Sequence, residues 1–158
     1  MVARGGRRPR GARRADQRWA ELGDLALVVA REIQIRRYLD ERVLHLSPSE
    51  GMVMRHLQGG DAATPTSIAA AVGLQRTNVS TVLRGLEQKG LIERSTNTED
   101  RRVVTVQLSE RGRGHYELAR NEWAAAVASA AGNDTRQLDA AIELLTRVRD
   151  GMTSYRRG

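Results

Sequence analysis

The sequence predicts a mainly α-helical fold that contains one small β-hairpin. Three observations lead to this prediction: apolar residues recur every three or four positions, Ser-Pro and Thr-Pro pairs precede two such stretches, and only two short segments are rich in β-branched residues. The 158 residues suffice for one hydrophobic core without disulfides or metal ions. Because the chain has no cysteine, disulfides, cysteine zinc sites and thiol redox sensing are excluded.

The first predicted helix extends from about residue 16 to residue 46. Its apolar residues recur at helical spacing: Leu22, Leu25, Ala26, Val29, Ile33 and Leu39. A second helix is predicted over residues 48–57. Ser47 is suited to be its N-cap, Pro48 suits the first helical position, and Glu50 completes a capping box.

The centre of the chain predicts a helix–turn–helix followed by a hairpin. A short helix over residues 64–72 and a longer one over residues 75–89 are joined by Gly73. Strands over residues 91–94 and 103–108 follow, with a polar eight-residue loop between them. Seven residues have the spacing of the buried and turn positions of a helix–turn–helix: Ile68, Ala69, Val72, Gly73, Leu74, Val79 and Val82.

The last third of the chain predicts two more helices. Ser109 can cap a helix that runs to about Ala131 and is broken by Gly132-Asn133. Asp134 and Gln137 predict a capping box before the last helix, whose apolar residues nearly form a heptad seam: Leu138, Ala141, Ile142, Leu145, Val148, Met152 and Tyr155. Because the first and last helices are too long for a body of this size to cover, a two-fold dimer formed by the chain ends is favoured over packing within one subunit.

A helix–turn–helix followed by a hairpin is the order of elements in winged-helix DNA-binding proteins. The predicted helix over residues 75–89 is the second helix of the helix–turn–helix. Its predicted exposed face has no carboxylate before Glu87, unlike a generic solvated face, and it offers groups that can bind base edges or phosphates. Its residues are Gln75, Arg76, Thr77, Asn78, Ser80, Thr81 and Arg84. In the hairpin loop, Arg101 or Arg102 would reach the minor groove or a phosphate, and Asp100 would orient the arginine. The alternative is a charged turn that keeps the hairpin soluble.

The net charge of +7 is concentrated in the chain ends. Residues 1–18 contain seven arginines and one aspartate, while residues 74–113 hold eight basic and five acidic side chains. Residues 1–15 are predicted to be a disordered Gly/Arg/Pro arm, which is either a tether to phosphates or a solvated tail. The apolar run over residues 25–30 is too short for a signal peptide or a membrane span, so a cytoplasmic, nucleoid-associated protein with no membrane partner is expected.

Four segments of the chain resemble the MarR family of bacterial transcription regulators: residues 74–79, 86–94, 100–102 and 108–112. With the flanking helices, the likeness covers about residues 16–155. It implies a triangular, mainly α-helical dimer with two winged-helix lobes. Members of the family usually repress genes, and many release double-stranded DNA when they bind small aromatic acids.

The resemblance also implies roles for individual residues. Asp100 and Arg102 match the family's wing-tip pair, and Arg94 matches the arginine that ends the first wing strand. Gln75 and Thr98 depart from the pattern, since an N-capping serine or threonine and a proline are usual there. The implied parts are an N-terminal dimerisation helix (16–46), a winged helix–turn–helix DNA-binding lobe (47–112) and C-terminal dimerisation helices (113–158). The predicted basic arm (1–15) precedes them and lies outside the family's common pattern.

A small-molecule effector is a further implication of the resemblance, with a pocket between the dimerisation helices and each DNA-binding lobe. Candidate lining residues are Tyr38, His45, Met52, His56, Tyr116, Arg120 and Trp123, although packing in the core or on the surface is the favoured reading of each. The three histidines do not have the spacing of metal ligands, so no metal and no cofactor is predicted.

Two other classes of protein were weighed against a regulator. An enzyme is not predicted, because the chain has no Ser/His/Asp grouping in a plausible turn, no glycine-rich phosphate loop and no pair of carboxylates on an apolar face. A constitutive or architectural DNA- or RNA-binding protein would bind through the arginine arm. It would show weak sequence preference and a steep salt dependence that disappears when residues 1–15 are deleted.

Overall fold

The computed structural model of the protein describes residues 10–96 and 104–155, and it contains six helices and a two-stranded sheet within those ranges. In chain order the elements are α1 (Arg10–Ile35), α2 (Pro48–Leu57), α3 (Pro65–Val72), α4 (Arg76–Gln88), β1 (Ile92–Thr96), β2 (Val104–Leu108), α5 (Glu110–Ala130) and α6 (Leu138–Tyr155). The chain divides into two compact units. The first ends at Arg37 and holds α1, and the second begins at Tyr38 and holds all the other elements.

Helix α1 is displaced towards the N-terminus relative to the prediction. It begins at Arg10, so the prediction of a disordered arm is wrong for residues 10–15, and it ends at Ile35 rather than near residue 46. Arginine and alanine favour helix at its start. In the second unit, the backbone N–H groups of Leu39 and Asp40 donate to the Glu122 carboxylate at 2.7–3.0 Å. A side chain distant in sequence therefore satisfies donors that a continuing helix would use internally.

The predicted starts of α2 and α3 are confirmed. The Ser47 side chain accepts a hydrogen bond from the Glu50 N–H at 3.3 Å, and the Glu50 carboxylate accepts one from the Ser47 N–H at 2.8 Å, which completes the capping box. Thr64 caps α3 by accepting from the Ser67 N–H at 3.1 Å. Helix α3 ends at Gly73, whose φ of 71° is the left-handed conformation that glycine adopts without strain.

The hydrophobic core of the second unit lies between α2, α3, α4 and the sheet. Ile68, Ala69, Val72 and Val79 are buried as predicted, and Leu74 and Val82 are partly buried against the core. The core is lined by side chains with less than 2% of their surface exposed: Val53, Met54, Ile68, Val79, Leu83, Leu86, Leu91 and Val106. These contacts fix α4 against the other two helices and leave one of its faces outward.

Strands β1 and β2 pair antiparallel in a register that runs from Ile92 opposite Leu108 to Thr96 opposite Val104. Strand β1 continues two residues further than predicted, to Thr96, because Ser95 and Thr105 lie opposite each other and their hydroxyls hydrogen-bond at 2.9 Å. The backbone of Ala63 adds two hydrogen bonds to Val106, at 2.9 and 2.8 Å, so the start of α3 is attached to the sheet.

The N-terminus of α5 is attached to the turn that follows α4. The Ser109 hydroxyl accepts from the Gly112 N–H at 2.9 Å, as predicted for an N-cap, and also donates to the Gly90 carbonyl at 2.7 Å. Gly112 faces the backbone of Leu91 so closely that a β-carbon on Gly112 would lie 1.9 Å from the Leu91 carbonyl oxygen. Helix α5 and the residue just before β1 therefore meet backbone to backbone.

Helix α6 begins differently from the prediction. Asp134 accepts a hydrogen bond from the Arg136 N–H at 3.0 Å and forms an ion pair with the Arg136 guanidinium at 2.6 Å, so it makes a local turn, and α6 starts four residues later at Leu138. None of the described side chains of α6 is buried within the chain, and five of its large apolar side chains are about half exposed or more: Leu138, Ile142, Leu145, Met152 and Tyr155. Among the described residues, no helix combines the length and the apolar character that crossing a bilayer requires.

Candidate nucleic-acid interface

Helix α4 has one buried and one exposed face. Val79, Leu83 and Leu86 are buried in the core, as an amphipathic helix with a period of 3.6 residues requires. All seven residues predicted to face outward are exposed: Gln75, Arg76, Thr77, Asn78, Ser80, Thr81 and Arg84. We refer to these seven residues as the polar face of α4. It carries two guanidinium groups, two amides and three hydroxyls, and it lacks a carboxylate.

The N-terminus of α4 lacks a side-chain cap. Gln75 occupies the N-cap with extended backbone dihedrals, and its side chain makes no capping hydrogen bond. There is also no acidic residue in the first turn. The sequence has glutamine where the family usually has an N-capping serine or threonine, and in the structure the cap is accordingly missing. The positive end of the α4 dipole, which favours a negative charge nearby, therefore lies at the start of the polar face.

The C-terminal end of α4 is fixed by an ion pair to α2. The Nζ atom of Lys89 lies 2.6 Å from Oε1 of Glu50, whose side chain is only 10% exposed. Gly85 leaves room for this carboxylate, since a β-carbon on Gly85 would lie 3.0 Å from the same oxygen. Burial raises the pKa of Glu50, but the hydrogen bonds from Lys89 and Ser47 outweigh it, and the pKa is lowered overall.

A second ion pair connects α4 to the sheet. The Nε atom of Arg94, in the middle of β1, lies 3.0 Å from Oε2 of Glu87 near the end of α4. The prediction that Arg94 ends the first strand is wrong, since β1 continues to Thr96. Sequence reasoning had assigned Arg94 to DNA and had noted Glu87 only as the first carboxylate of the helix. Their pairing depends on the packing of β1 against α4, which no local pattern indicates.

The predicted wing-tip residues lie outside the described part of the chain. These are Asp100, Arg101 and Arg102, together with Thr98, where the sequence departs from the family pattern. The two strands on either side of these residues are described, β1 as far as Thr96 and β2 from Val104. The roles of these three charged residues remain predictions.

Comparison with known proteins identifies the kind of protein to which this interface belongs. The sequence matches the MarR family profile over residues 46–104. The uncharacterized HTH-type transcriptional regulator YwhA of Bacillus subtilis (strain 168) is 36% identical over 104 residues, which are 65% of this chain and 73% of that protein. The chain belongs to the MarR family.

One further relative agrees with this assignment, and one solved structure shares the fold. The transcriptional repressor MprA of Escherichia coli (strain K12) is 36% identical over 55 residues, a match that spans 35% of this chain and 31% of that protein. The structure of Streptococcus pneumoniae FabT in complex with DNA superposes with a TM-score of 0.62 at 23% identity, covering 91% of this chain and 99% of that chain. The predicted mainly α-helical fold with a small β-wing is confirmed. This MarR-family protein is a DNA-binding transcription regulator and not an enzyme.

Three of the seven residues predicted to line an effector pocket lie together in this MarR-family protein. The indole Nε1 of Trp123 donates to the hydroxyl of Tyr38 at 3.2 Å, and the Tyr116 ring meets the Trp123 ring edge to face at 6.0 Å. The guanidinium of Arg55, which sequence reasoning did not select, lies 5.8 Å from the centroid of the Trp123 ring. We refer to these four residues as the aromatic cluster. Arg55 and Trp123 are far apart in sequence, so only the tertiary structure could identify this contact.

The other four predicted effector residues are exposed: His45, Met52, His56 and Arg120. His56 borders a separate open cavity of about 540 Å³ between the end of α2 and the outer side of α3. Asp61 and Ser67 supply further polar groups to that cavity, and Gly59 and three alanines complete its lining. In the described ranges, no group of three or more histidine, aspartate or glutamate side chains is arranged to hold a metal ion.

His115 is a buried titratable residue that sequence reasoning considered only as a metal ligand. Its Nε2 donates to the Leu44 carbonyl at 3.1 Å, while Nδ1 is buried without a hydrogen-bond partner. The pKa of His115 is lowered from its ordinary 6.5, first by burial and then by the nearby charges of Arg111 and Lys89, against the effect of the Leu44 bond. The folded chain therefore favours the neutral imidazole of His115.

This arrangement predicts a pH-dependent stability. Because the folded pKa lies below 6.5, the unfolded chain takes up a proton first as the pH falls, and stability present above pH 6.5 is lost on the way down to the folded pKa. We expect His115→Gln to make the change in unfolding free energy between neutral and mildly acidic pH smaller than in the parent protein. Urea unfolding at both pH values measures it, and parallel curves for the two proteins would contradict it.

Proposed function

We propose that this MarR-family protein is a homodimeric repressor that recognises a specific, roughly palindromic double-stranded DNA sequence. The observation that carries the proposal is the polar face of α4, on which all seven side chains are exposed and none is acidic. A helix with such a face, braced from behind by a second helix, suits entry into the major groove. The attached hairpin would lie beside it on the DNA.

The chemistry of the polar face suits direct recognition of bases. Arg76 can pair with a guanine through two hydrogen bonds, and Asn78 can do the same with an adenine. The hydroxyl groups of Thr77, Ser80 and Thr81 are suited to phosphates or to a thymine methyl group. We infer from this set that base edges and phosphates are both contacted.

The homodimer is supported by apolar surface that the chain leaves uncovered. On α6, Ile142 is 55% exposed and Met152 is 68% exposed, and on α1, Trp19 is 58% exposed. Exposed apolar surface of this extent on two long helices favours contact with a second copy. We propose that α1 and α6, the helices at the chain ends, form the dimer, and that the lobe over residues 47–112 binds DNA.

Selection of bound duplexes from a random-sequence pool tests this proposal. A homodimer predicts enrichment of two inverted half-sites about 10 bp apart, because two recognition helices related by two-fold symmetry meet successive major grooves. Sedimentation at micromolar concentration measures the oligomeric state in parallel. An enriched site without an inverted repeat, or a monomer in solution, would overturn the dimeric arrangement.

Substitutions on the polar face test which residues recognise bases. Arg76→Ala and Asn78→Ala should each relax base preference at one position of each half-site, with a loss of about 1–3 kcal/mol on the preferred sequence. Binding to the selected duplex and to single-base variants of it measures this effect. If binding to selected DNA and to random DNA weakened equally, the side chain would contact the DNA backbone and not a base.

We further propose that a small aromatic acid releases this protein from DNA. The aromatic cluster supports this idea, since Trp123 and the two tyrosines offer flat apolar surfaces and Arg55 offers a cation for a carboxylate. The DNA-binding assay repeated with salicylate-like acids tests it. Release that Trp123→Ala abolishes supports the site, whereas release that is unchanged in that variant places the effector elsewhere.

The arginine-rich start of the chain supports a second candidate function, constitutive or architectural DNA binding. Residues 1–18 contain seven arginines, and a chain that neutralises several phosphates binds any duplex in a strongly salt-dependent way. Deletion of residues 2–15, which removes six of the seven arginines, separates the two functions. A repressor keeps its sequence preference after the deletion, whereas an architectural protein loses most of its affinity and had little preference to begin with.

A further inference from the structure

The side chain of Arg94 leaves the sheet on the side that faces α4. Arg94 lies directly opposite Val106 in the antiparallel register, and Val106 has no exposed surface. Side chains opposite each other in such a pair project to the same side of the sheet. The neighbouring pair, Glu93 and Gln107, is exposed on the other side. Arg94 therefore emerges beside the core and not on the outer surface of the hairpin.

Glu87 continues the polar face of α4 towards its C-terminal end. It lies seven residues after Ser80 and three after Arg84, which puts it on the same side of a helix with 3.6 residues per turn. Its side chain is 45% exposed, and its carboxylate is held by Arg94 at 3.0 Å. A negative charge thus follows a surface that is otherwise free of carboxylates, and the described structure pairs it with a cation.

We propose that Arg94 is a positioning residue for DNA binding, which acts through Glu87 by neutralising its charge, and that it does not itself bind DNA. This inference rests on the proposed function of the polar face. Its physical basis is that a free carboxylate beside DNA phosphates is repelled, whereas a carboxylate paired with a guanidinium is not.

A cycle of three variants tests the proposal: Arg94→Ala, Glu87→Gln and the double variant. Arg94→Ala exposes the Glu87 charge, so we expect DNA affinity to fall about tenfold. Glu87→Gln alone and the double variant remove that charge, so both should bind within about threefold of the parent protein. Anisotropy titrations with a random-sequence duplex, and with the duplex enriched by selection, measure these affinities at several salt concentrations.

A direct contact between Arg94 and a phosphate makes the opposite predictions. The double variant would bind as weakly as Arg94→Ala, and the slope of log affinity against log salt would fall by about 0.9 in both. Either result overturns the proposal, as does an unchanged affinity in Arg94→Ala. Because a partly exposed ion pair contributes little to stability, thermal midpoints should stay close among all four proteins. Rescue of affinity without a change in midpoint therefore distinguishes positioning from general destabilisation.

Arg84→Ala is the matched control, since Arg84 lies on the polar face one turn before Glu87. A loss of affinity in Arg84→Ala with none in Arg94→Ala overturns the inference on Arg94 and leaves the proposed function in place. A loss in neither variant overturns the proposed use of the polar face itself.

Discussion

Replacing Gly112 with alanine is expected to unfold the lobe that carries the recognition helix. The alanine β-carbon would lie 1.9 Å from the carbonyl oxygen of Leu91 and 2.9 Å from its carbonyl carbon, and both atoms belong to backbone that cannot rotate away. Leu91 has no exposed surface, and its carbonyl accepts the Ser109 N–H at 3.1 Å. Helix α5 would have to move away from β1. We expect a loss of about 3 kcal/mol or more in the unfolding free energy.

Gly114→Ala is the matched control for this substitution. Gly114 is exposed on the same helix, and a β-carbon there meets nothing within 4 Å. Alanine is the better helix former, so Gly114→Ala should raise the unfolding free energy by about 0.5–1 kcal/mol. Thermal and urea unfolding of the two variants measure the contrast. If both substitutions have effects of the same sign, the close approach of α5 to the Leu91 backbone is not what excludes a side chain at residue 112.

The local structure of the lobe was largely predictable because the signals that start and end its helices are local. Ser47, Thr64 and Ser109 cap the helices that the sequence assigned to them. Gly73 adopts the left-handed turn, and the exposed residues of α4 are those that its apolar period predicts. Each of these features depends on residues within a few positions of one another. The order of elements, and with it the fold, followed from them.

The sequence was less informative where distant residues decide the structure. The end of α1 was placed too late because the Glu122 carboxylate, far away in the sequence, binds the backbone of Leu39 and Asp40. The partner of Arg94 and the proximity of Arg55 to Trp123 likewise require two packed elements. The positions of charged and aromatic residues in the sequence follow no periodic pattern that would predict which distant residue each side chain contacts. The effector residues, which were chosen by residue type alone, therefore include three that lie together in the structure and four that are exposed elsewhere.

Glu50→Ala is expected to have the second-largest effect, because one carboxylate stabilises two helices at once. Oε2 of Glu50 accepts from the Ser47 N–H at the start of α2, and Oε1 accepts from Lys89 at the end of α4. Alanine removes the capping box and leaves the Lys89 ammonium without its partner in a half-buried place. We expect a loss of about 2–3 kcal/mol, less than for a fully buried pair because the Lys89 side chain is 33% exposed.

The pH dependence of Glu50→Gln separates the charge of this residue from its shape. The glutamine oxygen can still accept from the Ser47 N–H, but it cannot carry the charge that Lys89 requires. Because the pKa of Glu50 is lowered below its ordinary 4.5, the parent protein should exceed Glu50→Gln in stability by a constant amount above that pH. The difference should shrink as the pH falls below 4.5 through the folded pKa, where the carboxylate takes up a proton. Urea unfolding of both proteins over this range measures it. A difference that persists unchanged at low pH would mean that the carboxylate charge contributes nothing and that the fit of the side chain alone holds α2 to α4.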